Sequence, residues 1–583
     1  MIILGINAYH ADSSAAIFVD GQLVAAIEEE RFRRIKHWAG FPELAIAFCL
    51  QEAGIGYADV DYYAIGRDPK AKFFKKLIYL AKNPGGSFAA VKDRLLNSKK
   101  VNSIGQELSR LSGFPAKTFA GKIKQVEHHR SHIASAFFAS PFEKAACLSI
   151  DGSGDFSTAM TGIGNGNDIE ILDSVDFPHS IGIFYTAFTQ LLGFPHYGDE
   201  YKVMGMAPYG SRESGVGSWE SFDTKLAKVV RLTEDGLFKL DLSYFRTGTQ
   251  GIISYGENNA PVVAPLYSAK MIREFGEPRK KDEPLTPYHR DLAASVQRFT
   301  EQVIFHILNY LQKRTGLENI CIAGGVAQNS VANGKILSNT SFKNIYIPSA
   351  GHDAGISMGA ALFTQHVSLQ YERQPAIRSA YTGSRFTNEE IKLKLTEKNI
   401  AFIELQDAEL FDRITDCLIS GGVVGWFSGR AEFGPRALGG RSIIADPRRT
   451  DAKEMLNTKI KRRESFRPFA PSILKEYVTD YFEISDEVPF MEKVFPIKKD
   501  KQLEIPAVTH VDGTGRLQTV DASISPRYYQ LIEAFRVKTG VPILLNTSFN
   551  ENEPIVNAPE EALACFLRTH MDMLVMENIL VER

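Results

Sequence analysis

IILGINAYHADSSAAIFVDGQLVAAIEEE, residues 2–30, reads as a strand, a small-residue loop, a strand, an Asp20-Gly21 turn and a third strand. Asp-Gly between alternating apolar residues is a strong hairpin signal. Residues 146–176, ACLSIDGSGDFSTAMTGIGNGNDIEILDSVD, repeat that grammar, with Asp151-Gly152 closing the first strand and Asn165-Gly166 turning the hairpin. Two such units about 145 residues apart predict an internally duplicated α/β domain whose first turns can present backbone amides to phosphate.

Working outward, ICIAGGVAQNSVANGKIL from Ile320 predicts a buried strand entering a Gly324-Gly325 turn at a helix start, with Asn329 beside it, a place suited to a nucleotide. Past Leu362 the chain turns polar and aperiodic and is punctuated by Pro375 and Gly383, which marks a linker. The domains expected are therefore 1–362 and 386–583. The second holds the helical pattern NEEIKLKLTEKN and the strands VVGWFSG and VPILLNTSFN, again α/β.

A chain of 583 residues is too long for one core. No apolar run reaches a membrane span, and the start lacks the basic and apolar regions of a signal peptide. Five dispersed cysteines without a CxxC predict reduced core thiols and a cytoplasmic setting. A net charge of −2 speaks against a broad nucleic-acid surface.

Positive charge is instead local. Residues 430–467 gather eleven Lys or Arg against five Asp or Glu. Arg436, Arg441 and Arg467 stand among Gly, Pro and Phe, as expected of guanidiniums fixed on a small, highly charged anion. In VEHHRSHIASAF, His128 and His132 lie four apart, on one helical face, and Asp151 and Asp353 sit at strand ends. Two histidines with two carboxylates suit iron, manganese or zinc. His10 and Asp12 occupy the first loop, and Lys202, in GDEYKVMGMAPYG, reads as part of a substrate-lip loop with Asp199 and Glu200.

Taken in order, HADSSAAIFVDG, EEERFRRIKH, HHRSHIASAF, GDEYKVMGMAPYG, GGVAQNS, GRAEFGPRALGGRSIIADPR, KRRESFRPFAPSIL, THVDGTGRLQTV and LLNTSFNENEPIV resemble the O-carbamoyltransferases of the nodulation protein U and tobramycin carbamoyltransferase type over nearly the whole chain. The resemblance implies an N-terminal domain of the actin, sugar-kinase and Hsp70 type fused to a C-terminal YrdC-like domain. It implies that the latter cleaves carbamoyl phosphate and forms carbamoyl adenylate from ATP, with Mg on the ATP, and that the former passes the carbamoyl group to a hydroxyl of a small-molecule or sugar acceptor. Carried over residue by residue, it makes His128, His132, Asp151 and Asp353 ligands of a transition metal, Fe(II) first, and His10 the general base. Arg436, Lys461, Arg467, Arg516, Asn546 and Ser548 would meet carbamoyl phosphate and ATP, with Asp12, Lys202, Gly324, Gly325, Asn329 and Arg441 as further substrate or nucleotide contacts. Ala11 separates His10 from Asp12-Ser13-Ser14, one residue more than the family pattern. The rivals are a sugar or metabolite kinase, which leaves residues 430–467 unexplained, a tRNA threonylcarbamoyl transferase, which needs a polyanion-binding face, and a non-enzymatic nucleotide-regulated binding protein of Hsp70-like design, which has no need for HHRSH with two aspartates.

Overall fold

The computed structural model describes residues 1–82, 103–210, 219–246, 253–256 and 258–583. It divides into two compact units, Met1–Asn329 with Ile336–Ile377, and Ser330–Lys335 with Arg378–Arg583. Residues 370–386 form no helix or strand.

In the first unit, β1 (Ile2–Asn7), β2 (Ser14–Val19), β3 (Gln22–Glu28), β4 (Tyr62–Ile65) and β5 (Ile123–Gln125) form a sheet ordered β3-β2-β1-β4-β5. A second sheet, from β6 (Lys144–Gly154), β7 (Ser157–Asn165), β8 (Asp168–Asp176), β9 (Asn319–Ala323) and β10 (Asn344–Tyr346), is ordered β8-β7-β6-β9-β10. In each, three antiparallel strands are followed by two parallel ones, so the duplication is one of topology. Asp20 and Gly21 both take positive φ, the two-residue turn the sequence predicts.

Two local readings are corrected. Asp151-Gly152 does not close β6, which runs on to Gly154 through a register shift after Ile150. The turn is made by Asp155 and Phe156, both at positive φ without being glycine, which is why the sequence hides it. Residues 200–206 are helical rather than a loop, since Glu, Tyr, Lys, Val and Met outweigh one interior glycine.

Two helices carry the architecture inward: α1 (His128–Phe137) and α2 (Gly355–Phe363). Glu127 caps α1 by accepting from Arg130 N–H. A Cβ on Gly359 of α2 would lie 1.9 Å from the Ser131 carbonyl oxygen of α1, and one on Gly5 of β1 1.8 Å from that of Ser357. The absence of side chains at these points lets helix, helix and strand close to backbone contact, and so draws their ends together.

The second unit is built on a nine-stranded mixed sheet. Numbered along the chain, its strands are β11 (Ile403–Glu404), β12 (Val424–Phe427), β13 (Arg441–Ala445), β14 (Ala470–Leu474), β15 (Lys493–Pro496), β16 (Thr514–Val520), β17 (Ile543–Ser548), β18 (Met573–Met576) and β19 (Ile579–Glu582), in the order β11-β19-β18-β12-β13-β17-β14-β16-β15. Its core gathers Trp426, Ile443, Leu517, Phe535 and Leu545. The predicted helix at 388–397 starts in a Thr387–Glu390 capping box. Among the described residues no helix is long and apolar enough to cross a membrane.

Candidate functional site

The end of β1, the bulge of β6 and the starts of α1 and α2 meet at one buried point. His128, His132, Asp151 and Asp353 are all buried, and each offers a ligand atom within 4.8 Å of the others. His128 Nε2 lies 3.1 Å from Asp151 Oδ2 and 3.8 Å from Asp353 Oδ1, while His132 Nε2 lies 3.6 Å and 3.3 Å from the same two oxygens. Neither His132 Nε2 nor Asp353 Oδ1 finds an aligned hydrogen-bond partner among the described residues. Two imidazole nitrogens and two carboxylate oxygens facing one another in a buried site fit a divalent transition metal. His129 turns away and bonds Ser149 Oγ at 2.8 Å.

Burial pushes the His132 imidazolium down, yet Asp151 and Asp353 outweigh it and lift its pKa to about 9. For His128, burial wins and the pKa falls. Asp353 resists burial and the neighbouring Asp151 because His10 and His132 hold it ionised.

His10 joins this cluster, its Nδ1 2.6 Å from Asp353 Oδ2. Burial opposes its charged form, but Asp353 overcomes this and raises its pKa. With Nδ1 turned to a carboxylate, Nε2 is the nitrogen left to take a proton. Asn7, which the sequence reading passed over, builds this loop: its Nδ2 donates to the carbonyls of Ala11, Asp12 and Asp353 at 3.0–3.2 Å. Asp12, at positive φ, pairs with His37 Nδ1 at 2.8 Å. Burial lowers the pKa of His37, but Asp12 more than compensates and brings it to about 9.

Gly325 N–H donates to Asp151 Oδ1 at 3.0 Å, and a Cβ on Gly324 would meet the Ile150 carbonyl oxygen at 2.1 Å, so the Gly-Gly pair braces the cluster. The Asn329 side-chain amide is exchanged with that of Gln297, both contacts 2.9 Å. Lys202 pairs with Asp199 at 2.8 Å and lies over the Phe194 ring.

In the second unit a polar row crosses one sheet face. Asn546 Nδ2 donates to the Ala437 carbonyl, Ser472 Oγ and Gln518 Oε1 at 3.0–3.1 Å. Arg516 is two residues from Gln518 on β16 and therefore on the same face. Burial, then Arg436, Arg463 and Arg467, push the Arg516 pKa well down, so four guanidiniums repel one another here. Arg463 also escaped the sequence reading, although it lies in the KRRESFR run; its Nε donates to Asn457 at 2.7 Å. Arg516 Nε and Asn546 Oδ1, a buried donor and a buried acceptor, have no hydrogen-bond partner among the described residues.

Lys461 and Arg441 have a different character. The Lys461 ammonium donates to Ser548 and to the carbonyl and side-chain oxygens of Asn550. Arg441 is fully buried and donates to the carbonyls of Ser384, Gly429 and Gly440. Both hold loops in place. Arg467 pairs with Glu464 at 3.7 Å and adds its charge to the field on Arg516.

The Carbamoyltransferase N-terminus family model matches residues 2–362 and the Carbamoyltransferase C-terminus model residues 415–583. An uncharacterized protein of Synechocystis, sll1178, is 43% identical over all of this chain and 96% of its own length. Nodulation protein NolNO of Sinorhizobium fredii is 37% identical over 99% of this chain and 80% of its own. Among solved structures, T. kodakarensis HypF aligns with 63% of this chain and 48% of its own at 15% identity, TM-score 0.30. By its match to both family models and to full-length relatives, the chain belongs to the carbamoyltransferase family.

Proposed function

We propose that the protein is an ATP-dependent O-carbamoyltransferase that works in two half-reactions, the first unit having the duplicated actin, sugar-kinase and Hsp70 design and the second a YrdC-like one. In the second unit water hydrolyses carbamoyl phosphate to carbamate and phosphate, with release of a proton. A carbamate oxygen then attacks the α-phosphorus of Mg-bound ATP, and pyrophosphate leaves. In the first unit the acceptor hydroxyl attacks the carbamoyl carbon, its proton goes to His10, and AMP departs. The acceptor is a hydroxyl of a small molecule or sugar.

The observation that carries this reading is the pairing of His10 Nδ1 with Asp353, 2.6 Å apart, at the rim of a His2Asp2 cluster. The Asp353 carboxylate, within ion-pair distance of Nδ1, stabilises the imidazolium formed when Nε2 accepts the hydroxyl proton. His128, His132, Asp151 and Asp353 would hold the metal, with Fe(II) preferred over Mn or Zn. Such an ion supplies Lewis acidity toward a carbamoyl or phosphate oxygen. Arg436, Arg463, Arg467 and Arg516 neutralise the phosphates without any proton transfer. The free pair Arg516 Nε and Asn546 Oδ1 suits a carbamoyl group, which carries both an oxygen acceptor and N–H donors. The protein is placed in the cytoplasm because its five cysteines are dispersed and four of them are buried, which is not the pattern of a disulfide framework.

Incubation with labelled carbamoyl phosphate, ATP and hydroxylated candidates tests the proposal. Label in a carbamate ester, with AMP and pyrophosphate formed, is expected. A phosphorylated acceptor with ADP would establish the kinase reading instead.

A further inference from the structure

Helix Phe73–Lys82 presents an apolar face to solvent. Phe73 is 55% exposed, Phe74 79%, Leu77 46% and Ile78 55%. These are two pairs at a spacing of four, so they form one contiguous stripe. At about 200 Å² for each fully exposed large side chain, the stripe presents on the order of 450 Å², the size of the largest, often functional, apolar patch on a soluble monomer. The opposite side is anchored: Tyr79 packs edge-on against Phe156 and Phe177, with ring centroids 5.7 and 5.6 Å apart.

Charge identifies the occupant. Residues 69–82, PKAKFFKKLIYLAK, hold five lysines and no acidic residue in a chain whose net charge is −2. Lys72 and Lys75 share the Asp176 carboxylate, and Lys75 and Lys70 stand exposed to solvent. Lysines flanking a stripe of Phe, Leu and Ile are the pattern of a helix that lies in a lipid headgroup layer.

We propose that this helix is a docking surface for an anionic bilayer, holding the protein on the membrane without crossing it. The idea is independent of the transfer chemistry and fails or holds separately from it.

The test is sedimentation of the full chain with vesicles of phosphatidylcholine alone and of phosphatidylcholine mixed with phosphatidylglycerol. The protein should pellet with the mixed vesicles only, and less so as salt rises from about 0.1 M to about 1 M, where the screening length falls from about 10 Å to about 3 Å. Phe74→Glu with Ile78→Glu should lower the partition at least about tenfold, and Lys70→Glu with Lys75→Glu by about fivefold per lysine. Circular dichroism of both variants matching the parent keeps the comparison on folded protein. Parent protein that stays in the supernatant overturns the proposal, as does equal binding to neutral vesicles that neither variant alters. So does a lipid-free dimer that Phe74→Glu with Ile78→Glu dissociates, since the stripe would then belong to a second copy.

Discussion

Gly359→Ala adds one methyl group where α1 and α2 touch, and its effect follows from two distances. The new Cβ would stand 1.9 Å from the Ser131 carbonyl oxygen and 3.1 Å from Ser135 Cβ. An ordinary carbon–oxygen contact is about 3.3 Å, so the helices must part by about 1.4 Å along that line. The obstacle is backbone, which cannot rotate aside as a side chain could. Overpacking of this kind destabilises by about 1–3 kcal/mol, against a gain of about 0.5–1 kcal/mol from replacing glycine within a helix. A fall in Tm of up to a few degrees is the net expectation. The larger effect is local, because α1 carries His128 and His132 while Asp353 sits just before α2. Metal ligation tolerates only about 0.2 Å of error in each distance, and a displacement near 1 Å can lower a positioned reaction about a hundredfold. Metal content after dialysis against a chelator, thermal melting and acceptor carbamoylation should all decline, while pyrophosphate release continues. Gly121→Ala, with nothing within 4 Å of its Cβ, is the control and should match the parent. If Gly359→Ala retains metal and transfers carbamoyl groups as the parent does, helix contact does not set the ligand geometry.

His10→Ala should still release pyrophosphate from ATP and carbamoyl phosphate yet carbamoylate the acceptor about 10² to 10⁴ times more slowly; equal loss of both products, measured in one reaction, would move His10 out of the proton-transfer role. Arg467→Ala removes one of the guanidiniums gathered around Arg516, and should slow pyrophosphate release at least about thirtyfold, equivalent to about 2 kcal/mol. Parent-like release would take Arg467 off the phosphates. The His37–Asp12 pair gives a pH signature: with the folded His37 pKa at about 9, above its ordinary 6.5, its stabilisation is complete below about pH 6.5 and is lost as pH rises through about 9. Melting curves should therefore show a smaller decline from neutral to alkaline pH in His37→Gln than in the parent, and identical declines would sink the assignment.

The hairpins and the four-residue histidine spacing were legible because both are periodic signals carried by neighbouring residues. The pairing of His10 with Asp353 was not, since 343 positions separate them and only the packing of β1 on α2 brings them together. Asn7 was invisible for a related reason: an asparagine ending a strand shows nothing of which carbonyls it will clamp. The turn at Asp155 and Phe156 was misplaced because neither residue advertises positive φ. Within residues 430–467 the sequence could gather the cations but not sort them. Arg441 and Arg467 stand in similar company, yet one is spent on carbonyls and the other reaches toward the guanidinium group around Arg516. Burial decides which, and burial is a property of the folded sheet.

The crowding of Arg436, Arg463 and Arg467 around Arg516 bears on the tempo of turnover. Mutual repulsion is relieved by whichever anion enters, and relieved most by the most highly charged. Among the anions released in the proposed first half-reaction, that is pyrophosphate, held more firmly than the phosphate released before it. Such an enzyme is its own brake: it would show a rapid first turnover, then a slower steady rate set by the escape of its by-product, and an added pyrophosphatase would quicken it.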